Sequence, residues 1–195
     1  MSWFRKAAEN SPAAAYNLGE MYYDGQGVPR DYRTAASWFR KGAERGNIWA
    51  QSRLGGMYHM GRGVPQDYAA AVSWYHKAAD QDDALAQRFL GAMYEKGHGV
   101  SRDDATAAIW YRKAAEQGDD GAQFLLAAMY FTGRGVPQDY VTAYMWSNLA
   151  GASSMDGSQA YRAYRDIIAE KMTPAQIAEA QKLTREWKPK SEADQ

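Results

Sequence analysis

Glycine pairs recur at a fixed interval along the chain and are the first residues with a possible chemical role. They are Gly25-x-Gly27, Gly61-x-Gly63, Gly97-x-Gly99 and Gly133-x-Gly135, each 36 residues from the next. A glycine-rich loop cradles phosphate when it joins a strand to a helix and is followed by Lys and then Ser or Thr. None of the four pairs has that context, so the pattern favours structural turns over phosphate binding.

Other side chains with catalytic or metal-binding chemistry do not form a recognisable set. The three histidines, His59, His76 and His98, are scattered, and no His-Glu-x-x-His motif occurs. Cysteine is absent, which excludes disulfides, a cysteine nucleophile and thiolate metal ligands. The serine-enzyme motifs Ser-x-x-Lys and Gly-x-Ser-x-Gly are absent too. We therefore predict a protein that is not an enzyme and that uses no cofactor or metal.

The glycine pairs belong to a longer element that repeats through most of the chain. Leu18-Gly19-x-Met21-Tyr22 recurs as Leu54-Gly55-x-Met57-Tyr58 and Leu90-Gly91-x-Met93-Tyr94, and in altered form as Leu126-Ala127-x-Met129-Tyr130. A fixed period of this length is typical of a stacked repeat array. In such an array each repeat buries its apolar face only against its neighbours.

Each repeat predicts two helices joined by a turn. In the first repeat, the apolar residues from Ala14 to Tyr22 share one helical face, and Gly19 at its edge allows a partner helix to approach closely. The segment from Gly25 to Pro29 ends this helix, and Asp31 is placed to cap the next one. The second helix carries its own apolar face, formed by Tyr32, Ala35, Trp38, Phe39 and Ala43.

The repeated pattern is similar to the Sel1-like repeat family, a relative of tetratricopeptide repeats. Residues 50–83 match it almost throughout, from Ala50-x3-Leu54-Gly55 to Trp74-Tyr75-His76-Lys77-Ala78-Ala79. The third repeat departs from it, because Asp104 replaces a tyrosine and Ser101 replaces the turn proline. The resemblance implies an all-α fold, a right-handed α-α superhelix (solenoid) of about four full repeats with partial terminal repeats. It also implies a bacterial protein-interaction scaffold, with adaptor roles in signalling, envelope assembly or host interaction.

Four segments are predicted on this basis. Residues 1–13 form a partial N-terminal repeat with the second helix only, because Trp3-Phe4-Arg5-Lys6-Ala7-Ala8 matches the end of a complete repeat. Residues 14–157 hold four Sel1-like repeats and end in a turn-rich insertion at 151–157. Residues 158–187 form a degenerate capping helix pair, whose last helix opens with a capping box at Thr173. Residues 188–195 form a disordered tail.

The first helix of each repeat offers the candidate functional surface. In tetratricopeptide-like solenoids the first helices line a concave groove, so the resemblance implies that their outward residues bind a partner. The residues predicted to do so are Tyr16, Asn17, Glu20, Tyr23, Arg53, His59, Met60, Arg88, Phe89, Glu95, Phe124 and Phe131. Their chemistry changes from acidic through basic to apolar, which suits a peptide with an acidic and an apolar part. For some of these outward side chains, Phe124 and Leu125 especially, a second interpretation stays open, namely packing against the neighbouring repeat or the C-terminal cap.

Composition limits the range of partners. Lys plus Arg and Asp plus Glu both total 23, so the zero net charge favours neither nucleic acid nor anionic membrane. No apolar run approaches the roughly 20 residues that span a bilayer, and the sequence shown contains no export signal, which leaves bacterial cytoplasm or periplasm. We expect a protein or peptide ligand, no nucleic acid and no direct membrane insertion. The alternative function is a structural spacer or regulatory arm of a longer bacterial enzyme or envelope protein, which the truncated first repeat suggests.

Overall fold

The computed structural model describes residues 6, 8–153 and 158–190. All regular secondary structure in these residues is helical, which confirms the all-α prediction. A helical segment at residues 8–10 precedes the first helix with defined bounds. The helices are α1 (Pro12–Asp24), α2 (Tyr32–Glu44), α3 (Ile48–Met60), α4 (Tyr68–Ala79), α5 (Ala84–Lys96), α6 (Asp104–Glu116), α7 (Asp120–Thr132), α8 (Tyr140–Ser153), α9 (Ser158–Ala169) and α10 (Pro174–Glu186).

Short polar side chains fix where the helices begin. Asp31 Oδ1 accepts hydrogen bonds from the backbone N–H groups of Arg33 at 2.9 Å and Thr34 at 3.1 Å, which confirms its predicted role as the cap of α2. Helix α1 begins at Pro12, earlier than the predicted Ala14, because Ser11 supplies its cap. Proline is well suited to the first helical position, where its missing N–H leaves no hydrogen bond unmade.

The glycine pairs form structural turns, as predicted. Gly25 follows α1 with φ of 77°, in the left-handed region, and its N–H donates to Met21 O at 2.9 Å. Gly63 lies in the corresponding turn after α3, also with positive φ of 70°. A Cβ at Gly63 would lie 2.2 Å from Tyr32 O, so the turn packs directly onto the start of α2. Glycine is needed there both for its backbone conformation and for lack of space.

Close helix approach within a repeat depends on a second glycine. A Cβ added to Gly19 of α1 would lie 2.5 Å from the Phe39 ring of α2. The third repeat has the same arrangement, where a Cβ at Gly91 of α5 would lie 2.7 Å from the Tyr111 ring of α6. The predicted role of Gly19 is therefore confirmed. The group that a Cβ would meet is the aromatic ring of Phe39, which is fully buried.

The chain divides into two compact units. Unit 1 comprises residues 1–86 and 97–101, and unit 2 comprises residues 87–96 and 102–195. The core of unit 1 includes Leu18, Phe39 and Leu54, which are at most 2% exposed. In unit 2, α8 packs against α7, α9 and α10, and one of its cores joins Ala143 and Ile168 with other buried residues.

The C-terminal helices differ from the sequence prediction in one respect. Residues 151–153 were assigned to a turn-rich insertion, but α8 continues through them to Ser153. Gly151 is buried against α9, where a Cβ would lie 3.4 Å from Arg162 Cγ, so packing extends the helix. The rest of the predicted insertion, residues 154–157, lies outside the described residues. The capping box at Thr173 is confirmed by reciprocal bonds with Gln176.

The predicted tail is described in part. Lys190 donates from its backbone N–H to Glu116 O at 2.8 Å, and its Nζ lies 2.5 Å from Glu116 Oε2. Trp187 also packs edge-on against Trp146, with ring centres 6.0 Å apart. Residues 191–195 lie outside the described residues, so the prediction of disorder there stays a prediction.

Candidate binding surface

The first helices of the four repeats are α1, α3, α5 and α7, and their outward residues divide between two faces. Offsets are counted from Ala14, Ala50, Ala86 and Ala122. Since each residue advances the helix by about 100°, offsets 2 and 9 point in one direction and offsets 3, 6 and 10 point roughly a quarter turn away. The first face contacts neighbouring elements, whereas the second contains the exposed residues Asn17, Arg53 and Met60.

At offset 9, a side chain from the glycine turn of the next repeat makes a recurring contact. Arg62 Nη1 donates to Tyr23 Oη at 2.7 Å, and its guanidinium carbon lies 5.9 Å from the centre of the Tyr32 ring. Tyr23 packs edge-on against Tyr32 at 5.0 Å. We call this a loop clamp, meaning one turn side chain held by the end of the first helix and the start of the second helix in the preceding repeat.

The second loop clamp has the same geometry but different residues. His98 replaces the turn arginine, and its ring stacks on Tyr68 with centres 4.4 Å apart and planes inclined by 16°. His59, at offset 9 of α3, lies 6.4 Å from His98 between ring centres. His59 was predicted to bind a partner, but the structure places it beside the turn of the following repeat.

The third loop clamp uses charges. Arg134 forms an ion pair with Glu95 at offset 9 of α5, and Arg134 Nε lies 3.7 Å from Asp104 Oδ2. Glu95 Oε2 also accepts a hydrogen bond from Tyr111 Oη at 2.7 Å. Burial is the larger cause that raises the pKa of Tyr111, and this hydrogen bond is the second. The departure from the family pattern at Asp104 is therefore matched by an arginine that the acidic side chain can pair with.

At offset 2 of α3 and α5, the side chain contacts the residue that caps the next first helix. Ser52 Oγ donates to Asp83 Oδ1 at 3.0 Å, and Arg88 Nε lies 2.9 Å from Asp119 Oδ1. Both aspartates accept a backbone N–H at the start of a first helix, as Asp119 does from Ala122 at 2.7 Å. Arg88, which was predicted to contact a partner, is paired with Asp119 within unit 2.

The aromatic residues of α7 pack against the C-terminal helices. Phe124 lies 4.8 Å from Tyr161 and 5.1 Å from Tyr164 between ring centres. Phe131 lies 5.7 Å from Tyr164 and 5.6 Å from Tyr140. In this structure both Phe124 and Phe131 pack within unit 2, against aromatic residues of α8 and α9.

Two exposed apolar side chains and an exposed arginine share one face of α3. Trp49 is 60% exposed and Met60 is 47% exposed, and Arg53 lies between them on the same face. Arg53 Nη2 pairs with Glu20 Oε2 at 2.7 Å, and its guanidinium carbon lies 5.6 Å from the Tyr23 ring centre. The Arg53 side chain remains 44% exposed, so its pairing leaves it accessible to a partner.

Residues of α1 support this face from the preceding repeat. The Tyr16 ring lies 5.9 Å from the indole of Trp49, and burial together with the nearby charge of Glu20 raises the pKa of Tyr16. Glu20 Oε1 is buried and accepts no hydrogen bond from any described residue. Asn17 is exposed on the same helix. The structure therefore brings the predicted residues Tyr16, Glu20 and Arg53 together in unit 1.

The predicted residues of α5 are partly covered. Phe89 is half-buried, and the guanidinium carbon of Arg88 lies 4.9 Å from its ring centre. The prediction from sequence did not include two exposed residues near the N-terminal ends of first helices, Trp49 on α3 and Leu85 on α5. Leu85 is 43% exposed. They lie at offset −1, one residue before each count began, and that offset points in the same direction as offsets 3 and 10.

Two kinds of feature are absent from the part of the chain that the structure describes. No group of three or more His, Cys, Asp or Glu residues there is arranged to hold a metal ion. None of the helices described combines the length and apolar character needed to cross a bilayer.

Comparison with known proteins identifies the family. The Sel1 repeat family matches residues 1–11, 12–47, 50–83, 84–119 and 121–154. The chain belongs to the Sel1-repeat family. Sel1-repeat proteins are generally protein-interaction scaffolds, and the fold is typically non-catalytic. No curated protein matches the chain significantly.

Solved Sel1-repeat structures confirm the fold class, an α-α solenoid. A protective antigen of uropathogenic Escherichia coli with an SLR fold shares 36% identity at a TM-score of 0.87, over 95% of this chain and 40% of the antigen. A Sel1 repeat protein from Oxalobacter formigenes shares 30% identity at a TM-score of 0.72, over 91% of this chain and 75% of that one. This Sel1-repeat chain thus spans less than half of the Escherichia coli antigen.

Proposed function

We propose that this Sel1-repeat protein is a non-catalytic scaffold that binds a peptide or protein segment on the outward face of α3. The observation that supports the proposal is the exposure of Trp49 and Met60 on either side of Arg53. Tryptophan and arginine are enriched among residues that dominate binding energy, and a partner that covers the indole removes a large apolar area from water. Unit 1 contributes all three residues.

The chemistry of this face favours a partner segment with a carboxylate and apolar side chains. Arg53 has five N–H donors, and the pair with Glu20 engages Nη2. Other N–H groups of this exposed guanidinium can donate to a partner carboxylate while Trp49 and Met60 contact apolar groups. The sequence predicted a binding groove formed by all four first helices, and this proposal places the binding site on α3. Residues at offset 9, such as Tyr23 and Glu95, join neighbouring repeats and stiffen the surface.

A second candidate is a spacer or regulatory arm within a longer protein. The observation that favours it is the length of the Escherichia coli antigen, of which this chain spans 40%. The two candidates differ in whether the face of α3 has a partner of its own.

The test is capture of a partner from source-cell lysate by the immobilised chain, followed by measurement of its affinity. We expect Trp49→Ala with Arg53→Glu to weaken binding by about thirtyfold or more, equivalent to about 2 kcal/mol. Ile167→Ser is the matched control, because Ile167 is also exposed, at 48%, but lies on α9. Equal binding by the α3 variant and the control would contradict the proposal. Capture of nothing by any form would favour the spacer.

A further inference from the structure

A second surface lies on α6, the second helix of the third repeat. A cleft of about 290 Å³ opens between α6 and the glycine turn after α7, and Ile109, Arg112, Lys113, Glu116 and Val136 are among the residues that line it. All of them belong to unit 2. The cleft shares no residue with the outward face of α3.

The third repeat makes this cleft more apolar than the equivalent surface of the first repeat. Ile109 is 57% exposed, whereas the equivalent positions 36 and 72 residues earlier hold the exposed serines Ser73 and Ser37. At the first residue of the cleft, Ala105 corresponds to Arg33 in the first repeat. A large exposed aliphatic side chain at a position that is serine in the first two repeats indicates a contact that those repeats do not make.

The charges around Ile109 are predominantly basic. Arg112 donates to Tyr130 Oη, and its guanidinium carbon lies 5.8 Å from the Tyr130 ring centre, so the positive group is held in place. Lys113 Nζ lies 4.4 Å from the ring centre of Trp110. The acidic residue of the cleft, Glu116, is paired with Lys190. Two cations therefore remain beside an exposed aliphatic residue without an acidic partner in the cleft lining.

We propose that this cleft binds an acidic peptide segment in which one aliphatic side chain is flanked by Asp or Glu. The aliphatic side chain contacts Ile109 and Val136, and the flanking carboxylates pair with Arg112 and Lys113. Hydrogen bonding of a carboxylate to arginine is directional, so a guanidinium already oriented by Tyr130 loses little rotational freedom on binding. The proposal stands independently of the function assigned to α3, because it involves different residues and a different helix.

Titration followed by isoleucine-methyl NMR tests the proposal. The probe is the synthetic peptide acetyl-Asp-Glu-Leu-Asp-Glu-amide, added to the intact chain. We expect the Ile109 methyl signal to shift saturably. Isothermal titration calorimetry measures the affinity of Ile109→Ser, which lacks the reporting methyl groups, and should show binding weakened about tenfold. Ile109→Ser installs the residue that the first two repeats carry at this position, so folding should be retained. Arg112→Gln with Lys113→Gln should abolish the shift, and acetyl-Lys-Lys-Leu-Lys-Lys-amide should produce none.

Three results would overturn the proposal. One is a response of Ile109 to the basic peptide equal to its response to the acidic one. Another is unchanged affinity in the Ile109→Ser variant. The third is a shift of Ile109 on deletion of residues 191–195 with no response of the intact chain to peptide, which would assign the cleft to the chain's own Glu192 and Asp194.

Discussion

The ring of His98 stacks on the ring of Tyr68, with centres 4.4 Å apart and planes inclined by 16°. Two arginines hold the same turn position in other repeats, where Arg62 contacts Tyr23 and Arg134 pairs with Glu95. Adjacent repeats are therefore joined by one positional rule with three chemistries: a hydrogen bond to a phenol, an aromatic stack and an ion pair.

The stack of His98 predicts a measurable contribution to stability. We expect His98→Ala to lower the free energy of unfolding by about 0.5–1.5 kcal/mol, because an aromatic pair is lost. His98→Arg should remain close to the wild type, since arginine occupies this position in two other clamps. Urea denaturation of the purified variants measures both effects. Gln26→Ala, at the exposed equivalent position in the first repeat, is the control and should change stability by less than about 0.5 kcal/mol.

Alanine substitutions at two turn glycines distinguish the energetic cost of backbone strain from that of a steric clash. Gly46 and Gly63 both have positive φ, of 85° and 70°, but a Cβ meets nothing within 4 Å at Gly46 and lies 2.2 Å from Tyr32 O at Gly63. Gly46→Ala should therefore cost about 1–2 kcal/mol for left-handed strain alone. Gly63→Ala should cost a further 1–3 kcal/mol for the clash. Equal thermal unfolding midpoints for the two variants would show that the turn does not pack against α2 as described.

Two leucines on α5 predict opposite outcomes of the same substitution. Leu90 is completely buried, and Leu90→Ala should cost about 2–5 kcal/mol because it removes apolar contacts and leaves a cavity. Leu85 is 43% exposed, and Leu85→Ala should change stability by less than about 0.5 kcal/mol. Chemical denaturation followed by circular dichroism compares them. A large loss in the Leu85 variant would mean that its side chain is not exposed in solution.

Asp104 predicts a pH-dependent contribution to stability. The hydrogen bond from Arg102 holds the pKa of Asp104 below its ordinary value of 3.8. The folded state therefore binds this proton less tightly than the unfolded chain does, so the stabilisation is complete above pH 3.8 and is lost as the pH falls below it. Asp104→Asn should lower the unfolding midpoint at about pH 6, and the difference from wild type should shrink on acidification. A difference that grows at low pH would contradict the assignment.

The elements of the fold were predictable from sequence because their determinants are local. The stripe from Ala14 to Tyr22 gave the buried face of α1, and Asp31 gave the start of α2. The end of α8 was predicted incorrectly, because glycine and serine are common in turns and both occur at the end of this helix, as Gly151 and Ser153. The packing of Gly151 against Arg162 depends on a helix later in the chain, which a local pattern does not reveal.

For the candidate surface, helical periodicity shows that a residue points away from the core of its own repeat, but it does not show which other residues that side chain contacts. Arg53 and Met60 were placed on an exposed face, and both are exposed. Glu95 satisfied the same criterion, yet Arg134 reaches it from a turn 39 residues later. Comparing each outward residue with the turn position 39 residues further on would have found all three clamps from sequence.

The loop clamp also sets where such an array can be cut. Each turn residue belongs by sequence to one repeat and by contact to the repeat before it, as Arg134 does with Glu95 and Asp104. A graft, duplication or deletion made at a helix-pair boundary would separate Arg134 from Glu95 and Asp104 and so remove the ion pairs of the third loop clamp. When a repeat of this protein is moved by engineering, its helix pair should therefore be moved together with the glycine turn of the following repeat, which contacts it. The transferable module then ends after that turn.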